Sequence, residues 1–109
     1  MHADTATSYN NIGDIYLDTN EYDKALEYFQ KALQIFKHAY GEVNESIYIT
    51  YNNISRAYNE QGNNDLAIDY ALKSLELRKR LFGDTHVTVA IAYHNIAGIY
   101  VDNKELEKA

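Results

Sequence analysis

Tyr9-Asn10-Asn11-Ile12 returns as Tyr51-Asn52-Asn53-Ile54 and again as Tyr93-His94-Asn95-Ile96, each copy 42 residues after the last. The same step links Tyr16, Tyr58 and Tyr100, then Ala25, Ala67 and Ala109, and it joins Gly41 to Gly83. A fixed period between 20 and 50 residues is the mark of a repeat architecture, in which each unit buries its apolar face against its neighbours. Three units follow from the register: residues 2–43, 44–85 and a truncated third at 86–109.

Inside each unit the apolar spacing is helical. Tyr9, Ile12, Gly13 and Tyr16 fall at i, i+3, i+4 and i+7, one face of an α-helix. Asp4, Ser46 and Thr88 precede these runs at equivalent places and are expected as N-caps, since their side-chain oxygens can accept from free helix N–H groups. First helices are therefore expected at 5–19, 47–61 and 89–103, stopped by Asn20, Gly62 and, more weakly, Lys104. Asn and Gly tolerate the left-handed backbone of a helix C-terminus. Second helices are expected at 22–39 and 64–81, with Gly41 and Gly83 ending them. The fold class is thus all-α: an α–α superhelix, or solenoid, of antiparallel helix pairs, with five helices and a truncated sixth. Gly13 with Ala25, and Ser55 with Ala67, are expected to let paired helices approach closely. The repeat-locked tyrosines are expected to fill the core.

These residues carry a resemblance. Tyr9-x-x-Ile12-Gly13-x-x-Tyr16 followed by Ala25-x-x-x-Phe29-x-x-Ala32 resembles the tetratricopeptide pattern, with Tyr for its Trp and Ile for its Leu. The 42-residue step and the Asn-Asn pairs resemble the kinesin-light-chain-like subgroup. This sequence departs from the pattern at Ser55 and Ala97 (for Gly13), at Ala71 (for Phe29), and in having no proline. The resemblance implies a concave face lined by the first helix of each unit, and the binding of a protein or peptide there.

By register, the peptide-binding candidates on that face are Asn10, Asn11, Asp14, Asn52, Asn53, Arg56, His94 and Asn95. Leu17, Ile49 and Ile91 fall on the same face. A side-chain amide offers two donors and an acceptor, enough to hold an extended backbone. The ladder Asn11, Asn53 and Asn95 either grips ligand or fixes helix stacking, whereas Asn10 and Asn52 are expected to be exposed. Asp14, Asp18, Glu60 and Asp102 face one cation, Arg56. A basic or mixed polar-apolar peptide or helix suits such a face. Chaperone-binding members of the family clamp a terminal carboxylate with lysines, an arginine and asparagines. Of that clamp Asn53 alone has a match here, so carboxylate-terminated tails are not expected.

Composition closes other routes. The 109 residues carry a formal net charge of −6, which disfavours nucleic acid and anionic membrane. No cysteine is present, so disulfides and thiolate chemistry are excluded, which fits a cytoplasmic location. His2, His38, His86 and His94 lack metal-ligand spacing and read as surface histidines, and no cofactor motif is found. Arg78-Lys79-Arg80 reads as a solvated cationic helix end. No set of nucleophile, base and orienter can be assembled, so an enzyme is not expected. Two functions stay open: a protein-binding scaffold, or a self-assembling or spacer segment with no ligand of its own. The incomplete third unit points to a piece of a longer array, or to a chain that pairs or swaps through its open end.

Overall fold

The computed structural model describes residues 3–108, with side chains described for 3–101. Five helices follow one another: α1 (Ala3–Asp18), α2 (Tyr22–Tyr40), α3 (Glu45–Gln61), α4 (Asn64–Phe82) and α5 (Val87–Lys108). Among the described residues there is no strand, and each helix packs on the next in chain order. The chain is an α–α solenoid, and the expected helices lie within a few residues of their observed bounds.

The turn after α1 and the turn after α3 are the same turn. Asn20 has φ 62° and Gly62 has φ 94°, both left-handed. In each, the next amide reaches back to close the helix, from Glu21 N to Tyr16 O at 2.8 Å and from Asn63 N to Tyr58 O at 2.9 Å. The stop expected at Lys104 does not form, and α5 runs unbroken to Lys108. Lysine gains nothing from a left-handed backbone, whereas Asn and Gly visit it routinely. The truncated sixth helix is therefore not a separate element, and Ala109, assigned to it by register, lies outside the described residues.

The helix starts correct the sequence reading by two residues. Asn44, not Ser46, caps α3: its Oδ1 accepts from Ser46 N at 2.8 Å. His86, 42 residues on, plays the same part for α5, its Nδ1 accepting from Thr88 N at 3.1 Å. His86 also stacks on Phe82 at 4.4 Å between ring centres, so it is half-buried and packed rather than a free surface side chain. Asp4 likewise sits inside the first turn of α1 rather than before it.

Small and large residues alternate between the pairs. A Cβ on Gly13 would stand 2.5 Å from Cε1 of Phe29, so the glycine makes room for that ring. The second pair has the opposite allocation, with Ser55 in place of the glycine and Ala71 in place of the phenylalanine. Ser55 uses the space to donate from Oγ to Ala67 O at 2.7 Å, as a close contact of α3 and α4 requires. Leu17, expected on the concave face, is buried in the core with Ala25, Phe29 and Ile54.

The tyrosines form a repeated clasp. Tyr28 of α2 lies between Tyr9 and Tyr16 of α1, at 5.7 and 5.6 Å between ring centres. Tyr70 of α4 lies between Tyr51 and Tyr58 of α3, at 5.9 and 5.8 Å. Lys31 and Lys73 cover Tyr28 and Tyr70 at 5.2 and 4.8 Å. Tyr93 and Tyr100, which hold in the third unit the places of Tyr9 and Tyr16, are each about half exposed, at 51% and 50%. Ile96, by contrast, is buried against Ala67, Ala71 and Leu75 of α4.

Candidate functional site

Because α1, α3 and α5 are the first members of successive pairs, their outward residues line up along one face. Two clefts open there. The α1–α3 cleft, about 220 Å³, is lined by Asn10, Asn11, Asp14 and Asn53, with Thr7 and Ile49 at its edge. The α3–α5 cleft, about 270 Å³, is lined by Asn52, Arg56, His94 and Asn95, with Asn59 and Gly98. The eight residues named by register thus divide evenly between two consecutive clefts.

The asparagines do not behave as a uniform ladder. Asn11 is exposed, Asn53 is buried, and Asn95 is half-buried and donates from Nδ2 to Asn52 Oδ1 at 3.3 Å. Asn10 and Asn52, expected to be exposed, are half-buried and bonded across helices. Asn10 Nδ2 donates to Thr50 Oγ1 at 3.0 Å, and that hydroxyl donates onward to Ser46 O at 2.8 Å. The equivalent of Thr50 in the third unit is Ala92, which has no hydroxyl, so Asn52 finds Asn95 instead. Both bonds tie one first helix to the next.

Charge differs between the clefts. Asp14 Oδ1 stands 4.0 Å from Arg56 Nη1, inside ion-pair range but too long for a hydrogen bond. Burial pushes the Asp14 carboxyl above the usual carboxylate range, against the pull of Arg56, and Asp18 adds to the rise. Arg56 occupies in the second unit the place of Asp14 in the first. The α1–α3 cleft therefore presents acceptors, and the α3–α5 cleft presents Arg56 and His94. Ile49 and Ile91, 42% and 49% exposed, give the face an apolar share. The side chain of Asp102 lies outside the described residues.

Arg78 escaped the sequence reading. It stands where the first unit has Phe36 and is buried, 6% exposed. Its guanidinium covers the Tyr48 ring at 4.8 Å and its Nη1 donates to Thr88 O at 2.9 Å. Burial lowers its pKa, with Tyr48 opposing. The residue links α4 to α3 and α5 and is not a solvated cation. Its position in the Phe36 register was the available signal, hidden by the charge of its neighbours.

Comparison with known proteins agrees with the helical-repeat fold. Residues 46–109 match one tetratricopeptide repeat family model, and residues 5–45 match a second. The crystal structure of BtubC (BKLC) from P. vanneervenii is similar in fold, with a TM-score of 0.82 at 24% identity. The match covers 95% of this chain and 41% of that one, so the chain spans less than half the length of that relative. At this identity the likeness speaks for fold alone. No curated protein matches the chain in sequence.

Proposed function

We propose that the chain, which belongs to the tetratricopeptide repeat family, is a protein-binding scaffold whose concave face takes a peptide or helix across two consecutive clefts. Repeats of this family generally mediate contacts between proteins. The observation that carries the finer reading is the even division of the eight register-derived residues between the α1–α3 and α3–α5 clefts. Mixed acceptors, one arginine and two half-exposed isoleucines favour a basic or mixed polar-apolar partner over an acidic one. Hydrogen-bonding amides along the face suit an extended backbone.

The test is affinity capture with groove and control variants. Ile49→Glu with Arg56→Glu changes exposed side chains of the concave face, while Gln34→Glu changes an exposed residue of α2. A partner bound by the wild type and by the α2 variant, but weakened about tenfold or more by the groove variant, supports the reading. Equal capture by all three sets it aside, provided helicity is unchanged.

A second reading rests on one observation, the half-exposed Tyr93 and Tyr100 rings of α5. Self-assembly through that face is its content. Sedimentation of the wild type beside Tyr93→Ser with Tyr100→Ser decides it: a mass that falls on substitution supports assembly, and a constant monomer mass removes it.

A further inference from the structure

Two oxygen atoms of α1 are left without a donor, and both belong to the α1–α3 cleft. Asn10 Oδ1 and Asp14 Oδ1 are buried atoms with no hydrogen-bond partner in the protein. The orientation of the Asn10 amide is not arbitrary. Thr50 Oγ1 spends its proton on Ser46 O, so it can only accept from Asn10, and the NH2 group must face it. The amide oxygen is thereby turned to the other side. Asp14 follows at i+4, on the same face of α1. Arg56 comes no nearer to its Oδ1 than 4.0 Å. Buried acceptors without donors are uncommon, and each one leaves a desolvation cost that a suitable donor would recover.

We propose that the Asn10 and Asp14 oxygens form an anchoring subsite for one cationic side chain of the partner, a guanidinium or an ammonium, entering the α1–α3 cleft. This rests on the groove reading above and adds to it a position and a chemistry. A guanidinium has five donors in a planar fork and can serve an amide oxygen and a carboxylate together. Asp14 supplies the charge, and Asn10, held by Thr50, supplies direction. The 220 Å³ cleft has room for such a head group, with Ile49 at its edge to lie along the aliphatic stem. The second cleft cannot do the same. Its equivalents of Asn10 and Asp14 are Asn52, whose oxygen already accepts from Asn95, and Arg56, which offers no acceptor.

The experiment is a selection of random linear peptides on the wild-type chain, followed by affinity measurements on Asp14→Asn and Asp18→Asn variants. Asp14 Oδ1 has no hydrogen-bond partner within the chain, so Asn should fit without refolding, and circular dichroism checks this. Peptides enriched in Arg or Lys at one position, binding Asp14→Asn about tenfold more weakly and Asp18→Asn as the wild type, support the subsite. Replacing the selected Arg by citrulline should cost the wild type a similar factor and Asp14→Asn little. Peptides with no basic preference, or basic ones indifferent to Asp14→Asn, overturn the subsite and leave the groove standing, with water as the donor to both oxygens. Equal losses in the two variants overturn it in favour of a diffuse negative field. Failure to select any peptide overturns the subsite together with the groove.

Discussion

Gly13 and Phe29 are one structural unit: the glycine has no Cβ because the phenylalanine ring occupies its place, 2.5 Å away. The ring is fully buried at the centre of the first helix pair. Gly13→Ala should therefore destabilise the chain by about 1–3 kcal/mol, the usual cost of overpacking. In a Phe29→Ala background, which reproduces the small partner that Ser55 has in Ala71, the same substitution should cost less than about 0.5 kcal/mol. Urea unfolding of the four proteins measures the coupling. Equal costs in both backgrounds would show that the two residues do not compete for space.

Helix capping gives a test of the two-residue correction at α3. Asn44→Ala removes the acceptor for Ser46 N and should cost about 1 kcal/mol. Ser46→Ala should stay within about 0.5 kcal/mol. The reverse order would restore Ser46 as the cap.

The bond between Asn10 and Thr50 ties α1 to α3 at 3.0 Å in a part-buried setting. A double-mutant cycle with Asn10→Ala and Thr50→Val should give a coupling of about 0.5–1.5 kcal/mol. The longer Asn52–Asn95 bond, 3.3 Å, should couple less strongly. A null cycle at the first pair would remove the amide from the stacking of the helices.

Asp14 makes stability depend on pH with a defined sign. Burial raises its carboxyl above 3.8 in the folded chain, so the fold holds that proton more tightly than the unfolded chain does. Its contribution is therefore most favourable at acid pH and declines as pH rises through the raised value. Asp14→Asn abolishes this dependence. The variant should match or exceed the wild type in stability at about pH 7 and lose that advantage by about pH 3. Unfolding curves at the two pH values check it, and an advantage that grows in acid would contradict the assigned cause.

α3 is packed between α2 and α4, whereas α5 packs chiefly on α4 and presents two half-exposed tyrosines. Hydrogen exchange should show amides of α5 opening before those of α3, by about tenfold or more in protection. Equal protection would mean that something further covers α5 in solution.

How far these features were legible depends on what each one is made of. The 42-residue step, the helix pairs and the left-handed stops at Asn20 and Gly62 are local or periodic, and they appear in the chain as residue types at fixed spacing. The division of the eight candidate residues between two clefts was foreshadowed by register, which carries over to space whenever helices stack in order. What register cannot supply is the partner across a contact. Asn10 looked like an exposed amide because Thr50 is 40 residues away, and Arg78 looked solvated because Tyr48 lies on another helix. Asn44 and Ser46 are both good caps by type, and only the path of the chain decides between them. The exchange of Gly13 and Phe29 for Ser55 and Ala71 was visible as two departures from pattern, but its meaning as one swap of volume needed the contact.

The turn closed by Gly62 has a consequence for chirality. A Cβ added there meets nothing within 4 Å, so space does not select the glycine; its φ of 94° does. Asn20 meets the same demand at 62° with an ordinary L residue whose amide oxygen accepts from Tyr22 at 3.0 Å. A D-alanine placed at 62 by chemical synthesis would find its own preferred backbone, the mirror image of the one an L-alanine favours. It would narrow the unfolded chain and leave the native turn untouched, a stabilisation of about 0.4–1 kcal/mol obtained by handedness alone.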